Sequence, residues 1–283
     1  MNWSRFKFYC NDVRRLLARG EEKIPAFDSA KASVLSKEFG PELKPHEIQA
    51  SILTSLKTED YSNEEVQGVL EIYDGIDVSA LANRPSRIRR VGVYIGYLTF
   101  MYFVLSSIYF VYVIPETVSM FEAMEIPAPD SFTWFVNNWA TILMIVMALL
   151  VGAFLVSKKL RELFEYKKGV GKSIIYRFML PRKLKSRYER VVSLIRLPLY
   201  IVKNRDDGIN DHIIKHYQSE KYTTNEISDS LSILINENVD ILLSHSETFM
   251  RRIYVVVAIL VIYSIFEFVS SAYAPLFVMG EVV

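Results

Sequence analysis

Three groups of residues in this 283-residue chain have types and spacings that chemistry uses. Gly169-Val170-Gly171-Lys172-Ser173 matches the end of a phosphate-binding loop, where glycines let backbone amides approach phosphate and a lysine neutralises it. The first glycine of that pattern falls at Tyr166 and no strand-like pattern precedes it, so the stretch reads as a solvated basic loop and the chain is assigned no ATPase activity. His212 and His216 stand one helical turn apart, a spacing that presents two imidazoles to one metal, with Asp211 and Glu220 close by in sequence. With no His-Glu-x-x-His motif, one cysteine and no distant third ligand, they read as polar helix surface. Glu267 lies near the middle of a long apolar run, where a charged side chain costs about 3 kcal/mol by insertion scales. It reads either as a protonated or hydrogen-bonded carboxyl, held by Ser264, Ser270, Ser271 or a tyrosine of a neighbouring helix, or as the lining of a groove for a cationic or polar group. Four histidines and scattered acids form no catalytic arrangement, so no catalytic, cofactor-binding or metal-ligating residue is assigned.

The elements that must position such residues are three apolar runs, Val91 to Ile114, Trp139 to Val156 and Ile253 to Met279. At about 1.5 Å per residue the shortest spans roughly 27 Å, close to a bilayer core of about 30 Å. Basic residues fall on one side of each. Arg84, Arg87, Arg89 and Arg90 precede the first run, Lys158, Lys159, Arg161, Lys167, Lys168 and Lys172 follow the second, and Arg251 with Arg252 abut the third. The stretch from Pro115 to Asn138 holds Glu116, Glu122, Glu125 and Asp130 without one Lys or Arg. The positive-inside rule then places the N-terminus in the cytoplasm and the C-terminus in the periplasm of an inner membrane, with Trp134, Trp139, Tyr94 and Tyr254 as an aromatic belt.

The expected organisation is all-α: a cytoplasmic helical bundle over 1–88, a membrane helix over 91–114, a periplasmic loop over 115–138, a second membrane helix over 139–156, a second bundle over 157–252, a third membrane helix over 253–279 and a short tail. Phe6, Tyr9, Val13, Leu16 and Leu17 share one helix face, as do Ile48, Ile52, Leu53 and Leu56. Pro181, Pro198 and Gly208 read as punctuation of the second segment, and Arg196 to Val202 is the only stretch ambiguous between helix and strand. The net charge of +1 hides a strongly basic stretch over 157–200, which beside a membrane exit reads as contact with anionic headgroups. Cys10, alone, reads as a buried, inert thiol, and no cleavable leader is expected over Met1 to Gly20 because charges interrupt it. Gly92 and Gly96 form a Gly-x-x-x-Gly pair, continued by Ser106-Ser107, that calls for close helix packing within the chain or between protomers.

The two cytoplasmic segments also resemble each other. Tyr9, Val13 and Leu16 recur in spacing as Tyr188, Val192 and Ile195, followed by Ile24-Pro25 and Leu197-Pro198. Ser62-Asn63-Glu64 with Val69 matches Thr224-Asn225-Glu226 with Leu231, and Ser62/Glu65 and Thr223/Glu226 each fit a capping box. Each half therefore reads as helical bundle, amphipathic helix, basic collar and membrane helix.

In this order and topology the chain resembles the type II secretion system protein F family, the inner-membrane assembly platforms of type IV pili and type II secretion machines. Pro115, Met120 and Phe121 are similar to the family's Pro-x-x-x-x-Met-Phe stretch, Ala274-Pro275-Leu276-Phe277 to its Leu-Pro-Ile-Phe-like step, and Asn225 to Leu231, more faintly Asn63 to Val69, to its paired Gly-Glu-x-Ser-Gly-x-Leu motif. Both glycines of that motif are replaced, the Glu-Pro pair of the last helix is missing, and the cytoplasmic segments are short, which marks a divergent member. The resemblance implies a homo-oligomeric platform without enzymatic activity or cofactor, coupling a cytoplasmic motor ATPase to pilin or pseudopilin subunits together with other inner-membrane assembly proteins. Asn63, Glu64, Asn225, Glu226, Arg89, Arg90, Arg251 and Arg252 would face partners, and Glu267 would meet a client pilin helix, for instance its N-terminal amine. A secretion platform and, from a different class, a small transporter or channel subunit are the rival expectations; a membrane-attached ATPase or metal enzyme is a weaker one.

Overall fold

The computed structural model describes residues 3–39, 42–82, 86–166, 174–203, 210–220 and 222–282. Among these the fold is all-helical, and the chain divides into two compact units: residues 1–85 with 159–246, and residues 86–158 with 247–283. The phosphate-loop look-alike over 169–173, Arg84 and Gly208 lie outside the described residues.

The first unit joins the segments expected as two separate bundles. Helix α1 (Trp3–Ala18) buries Phe6, Cys10, Val13 and Leu17, the face its periodicity requires, and ends where Gly20 takes a φ of +88°, which glycine adopts without steric cost. Helices α2 (Lys23–Ala32), α3 (Val34–Glu38) and α4 (Ile48–Thr58) follow, with Ile48, Ile52, Leu53 and Leu56 all buried. The Lys23 ammonium ties α2 to the turn after α4, donating to the carbonyls of Glu59 (2.9 Å) and Tyr61 (3.2 Å). Helix α5 (Asn63–Gly75) starts from a complete Ser62/Glu65 capping box, and the one-turn α6 (Ser79–Ala82) ends the first segment.

The second segment enters this unit through α11. Helix α7 (Ser86–Ile108), a π-helical turn (Tyr109–Val113), α8 (Ile114–Ala123) and α9 (Asp130–Leu163) intervene in sequence, and α10 (Ile174–Met179) precedes α11 (Arg182–Lys203). Pro198 does not punctuate: it sits inside α11, and Arg196 to Val202 is helical. An interior proline removes one ladder N–H and crowds the carbonyl four residues back, at a cost of about 3 kcal/mol. Two buried tyrosines of the first segment supply donors around that defect. The Tyr73 hydroxyl donates to the Ile195 carbonyl at 2.8 Å and the Tyr61 hydroxyl to the Leu199 carbonyl at 3.2 Å. At about 1 kcal/mol each, they tie α11 to the first segment on both sides of the proline, and Leu194, Ile195, Leu197 and Leu199 are buried along the same face. Helix α12 (Asp211–Ser219) and the first six turns of α13 (Thr224–Val282) complete the unit.

The second unit carries the spans. Three helical stretches, Ile88–Ala123, Phe132–Leu163 and Thr224–Ser270, are long and apolar enough to cross a membrane, the most apolar 18 residues of each having mean hydropathies of 1.8, 2.6 and 2.4. The stretch expected as a periplasmic loop over 115–138 is helical apart from 124–129, since α8 prolongs the first span and α9 begins at Asp130. The reason is visible at Pro115. Its missing N–H and bulky ring are accommodated by the π turn just before it, where the Ile114 amide donates to the Tyr109 carbonyl five residues back. The helix stops only where Glu125 turns into the left-handed region, at φ +55°.

Contacts fix the direction of each span. Gly92 faces Ser157, Gly96 faces Phe154, Phe110 stacks on Trp139 at 4.4 Å and Phe121 meets Phe132 at 5.6 Å, so α7–α8 and α9 run antiparallel. Tyr102 shares a hydrogen bond with Ser264 (2.8 Å) and Tyr109 stacks on Phe268 (5.0 Å), so α7 and α13 run parallel. Trp139 is buried against Phe110, whereas Trp134 and Tyr94 are exposed.

Replacing Tyr73 with Phe removes one buried donor and is expected to destabilise the helical unit by about 1–2 kcal/mol. Thermal unfolding of the purified full chain reads this as a lower midpoint, and adding Pro198→Ala, which restores a ladder N–H, is expected to recover part of the loss.

Candidate functional site

The second copy of the repeated motif, Asn225 to Leu231, lies where the C-terminus of α5 crosses the N-terminus of α13. A second capping box opens α13. The Thr223 amide donates to the Glu226 carboxylate at 2.8 Å, the Thr223 hydroxyl bonds the same oxygen at 2.8 Å, and the Glu226 amide returns to the Thr223 hydroxyl at 3.4 Å. These bonds, the Thr223 amide's first, hold the Glu226 carboxyl below its ordinary pKa.

One turn later Ser228, buried, occupies the space a side chain on Gly75 would need: a Cβ there would lie 2.7 Å from the Ser228 Cβ. Glycine at 75 thus permits backbone-to-helix contact that no other residue allows. Beyond it the Asp77 amide donates to the Ser232 hydroxyl at 2.9 Å, and the Asp77 carboxylate accepts from the Ser79 amide and hydroxyl, both 2.9 Å, which lowers its pKa. Gly75, Asp77 and Ser232 were not singled out in the sequence. The signal for Asp77 was available as an Asp-x-Ser start to α6, but the partner of Gly75 lies more than 150 positions away.

Asn63 and Glu64 are exposed on the first turn of α5, and Asn225 and Glu226 on the first turn of α13. The crossing brings Ser228 of the second motif against the far end of α5, not against Asn63. The two motif copies also sit on different helices in kind: α5 stops after 13 residues, whereas α13 runs unbroken for 59.

In the membrane unit Arg89, Arg90, Arg251 and Arg252 are all exposed, at the starts of the parallel apolar stretches of α7 and α13. Gly92 is buried because Ser157 packs directly over it, and a Cβ on Gly96 would lie 3.8 Å from the Phe154 ring, so the Gly-x-x-x-Gly face packs against α9 of the same chain. Tyr102, Tyr109 and Phe135 converge on Phe268, with ring centroids 6.0, 5.0 and 5.7 Å from it. One residue before that knot, Glu267 is half-buried and accepts a hydrogen bond from the Tyr263 hydroxyl. Its tyrosine partner stands one turn back on the same helix, not on a neighbouring one, and Tyr263 is itself largely exposed.

The remaining sites offer little chemistry. His216 shares a hydrogen bond with the Tyr222 hydroxyl (3.1 Å) and lies 3.8 Å from Glu220, His212 is exposed, and no group of three His, Cys, Asp or Glu among the described residues is placed to hold a metal. Cys10 is fully enclosed, and burial first and Asp74 second push its thiol pKa up. A cleft of about 290 Å³ opens between α1, α2 and α4, where Arg5 bonds Ser36 and Lys57 pairs with Asp28. Compared with family models, curated proteins and solved structures, the chain matches none.

Gly75→Ala is expected to force α5 and α13 apart and to cost on the order of 1–3 kcal/mol, with Ser228→Gly in the same chain restoring much of it; denaturation midpoints of the single and double variants decide. The Glu226 box carries its own pH dependence. Because the folded-state pKa lies below the ordinary value of 4.5, the cap contributes fully above that pH and is lost as pH falls through the lower folded value. Hydrogen exchange at the start of α13, corrected for intrinsic rates, is expected to lose protection in that acid window, and Glu226→Gln to remove the pH-dependent part.

Proposed function

We propose that this chain is an inner-membrane assembly platform, a divergent relative of the type II secretion protein F family, which couples a cytoplasmic motor ATPase to the insertion of pilin-like subunits into a growing fibre. The observation that carries the reading is α13. It starts at a capped, partner-accessible turn in the helical unit and continues without a break past Arg251 and Arg252 into the apolar stretch that holds Glu267. Between Thr224 and Glu267 that helix contains no proline or glycine, the usual places where a helix bends, so it is suited to pass displacement along its axis.

In this reading the helical unit faces the cytoplasm, as the basic residues flanking each span require. The motor binds and hydrolyses ATP, and the platform carries no catalytic residue or cofactor. Exposed Asn63, Glu64, Asn225 and Glu226 form part of its docking face, and the arginine collars couple movement to the membrane helices. Glu267, already accepting from Tyr263, offers its carboxylate to a cationic or polar group of a client helix, such as a pilin amino terminus. A motor with ring symmetry favours a closed homo-oligomer of the platform. We place it with the pilus machines because its cytoplasmic segments are short, which suits a compact system.

In cells lacking the gene, fibre assembly is expected to stop and to return with the wild-type chain. Glu267→Leu, which keeps the packing but not the carboxylate, is expected to restore at most about a tenth of it, with Glu267→Gln intermediate, if the group supplies an ionic contact of about 1.4 kcal/mol or more. Normal fibres with both variants overturn the role of Glu267. Normal fibres without the chain, or solute flux through the purified protein in vesicles, overturn the platform itself.

A further inference from the structure

The start of the second segment carries a surface that the platform reading does not use. Helix α9 continues to Leu163, about 10 Å beyond Val156, where the apolar stretch ends. Tyr166 then turns the chain at φ +43°, with its side chain only 1% exposed. Its ring lies parallel to Tyr188 of α11 at 6.2 Å and 5°, and Tyr176 of α10 meets Tyr188 edge-on at 6.1 Å. The Tyr176 hydroxyl reaches Glu189 at 3.4 Å and the Lys185 ammonium donates to the Arg177 carbonyl at 2.5 Å. This three-tyrosine stack clamps α10 and the beginning of α11 to the turn that follows α9.

What the clamp presents outward is Phe178, 77% exposed and the most exposed large apolar side chain described, between exposed Arg177 on one side and exposed Arg182 and Lys183 on the other. Exposed Arg161 on the final turn of α9 adds to the same charge. We propose that Arg177, Phe178, Arg182 and Lys183 form an interfacial anchor that binds anionic phospholipid at the cytoplasmic leaflet, the cations on headgroup phosphates and the Phe178 ring among the acyl-chain ends nearest them. A protein partner is the poorer fit. Stable protein interfaces centre on several apolar residues depleted of charge, whereas among the residues whose side chains are described one exposed ring is flanked by cations, the composition that a charged headgroup layer accepts. The assignment rests on the spans and not on the platform reading.

The test uses the full chain as Phe178→Cys, labelled with an environment-sensitive fluorophore; enclosed Cys10 leaves the new thiol as the reactive one. The protein is placed in lipid nanodiscs of phosphatidylcholine alone or mixed with phosphatidylglycerol, each with or without spin-labelled lipid. Quenching at position 178 is expected to rise about threefold or more in the anionic discs, and to fall back in high salt or in the Arg182→Glu/Lys183→Glu variant. Salt needs no folding-competent variant, so that arm stands alone. A fluorophore in water in both lipids overturns the anchor. So does an apolar environment indifferent to lipid charge and to spin label, which would mean that a second copy or another protein covers the site.

Discussion

The helical unit depends on how α11 keeps a proline in its interior. Pro198 withdraws a donor and strains the carbonyls before it, and in an isolated helix that position would kink or end. Here Tyr73 and Tyr61, more than a hundred residues away in sequence, donate to the carbonyls of Ile195 and Leu199 while their rings fill the apolar space beside them. The Lys203 ammonium lies 4.3 Å over the Tyr61 ring, which adds a cation–π contact at the end of the same helix. Donors from one segment bracket the proline of the other and bind the two segments together, and the crossing of α5 with α13 adds a second seam between them.

The membrane unit solves a different problem, since burying apolar surface is no gain where lipid is equally apolar. Its contacts are those that still carry energy there: Ser157 over Gly92, the Tyr102–Ser264 hydrogen bond, and rings gathered on Phe268. The outward faces keep large exposed side chains such as Tyr97, Phe100, Ile145 and Phe266, as lipid-facing helices do. Glu267 is the exception, a carboxylate set one residue from the tightest ring cluster and interacting with a tyrosine of its own helix. A carboxylate has several acceptor positions, and in a medium where an unfilled one is costly the platform reading puts its client there.

Local signals that depend on near neighbours were legible in the residues. The three apolar stretches, the apolar faces of α1 and α4, both capping boxes and the enclosed Cys10 all follow from periodicity, cap chemistry or side-chain size. That Gly92 receives Ser157 and that Trp139 stacks on Phe110 was not legible, because each partner lies on another helix. The loop expected over 115–138 was drawn too long because Pro115 and the acidic residues read as breakers, whereas a π turn lets the helix absorb the proline and continue to Ala123.

By itself the sequence determined an all-helical chain with three lipid-length spans and the places where α5 and α13 must start, because periodicity, hydrophobicity and caps act within a few residues. Only the tertiary structure decided that the two polar segments fold as one unit, that Pro198 lies within a helix, and that Gly75 receives Ser228 and Glu267 receives Tyr263. Those outcomes turn on which distant donor or small residue comes to lie opposite, a choice made by packing and invisible to any window along the chain.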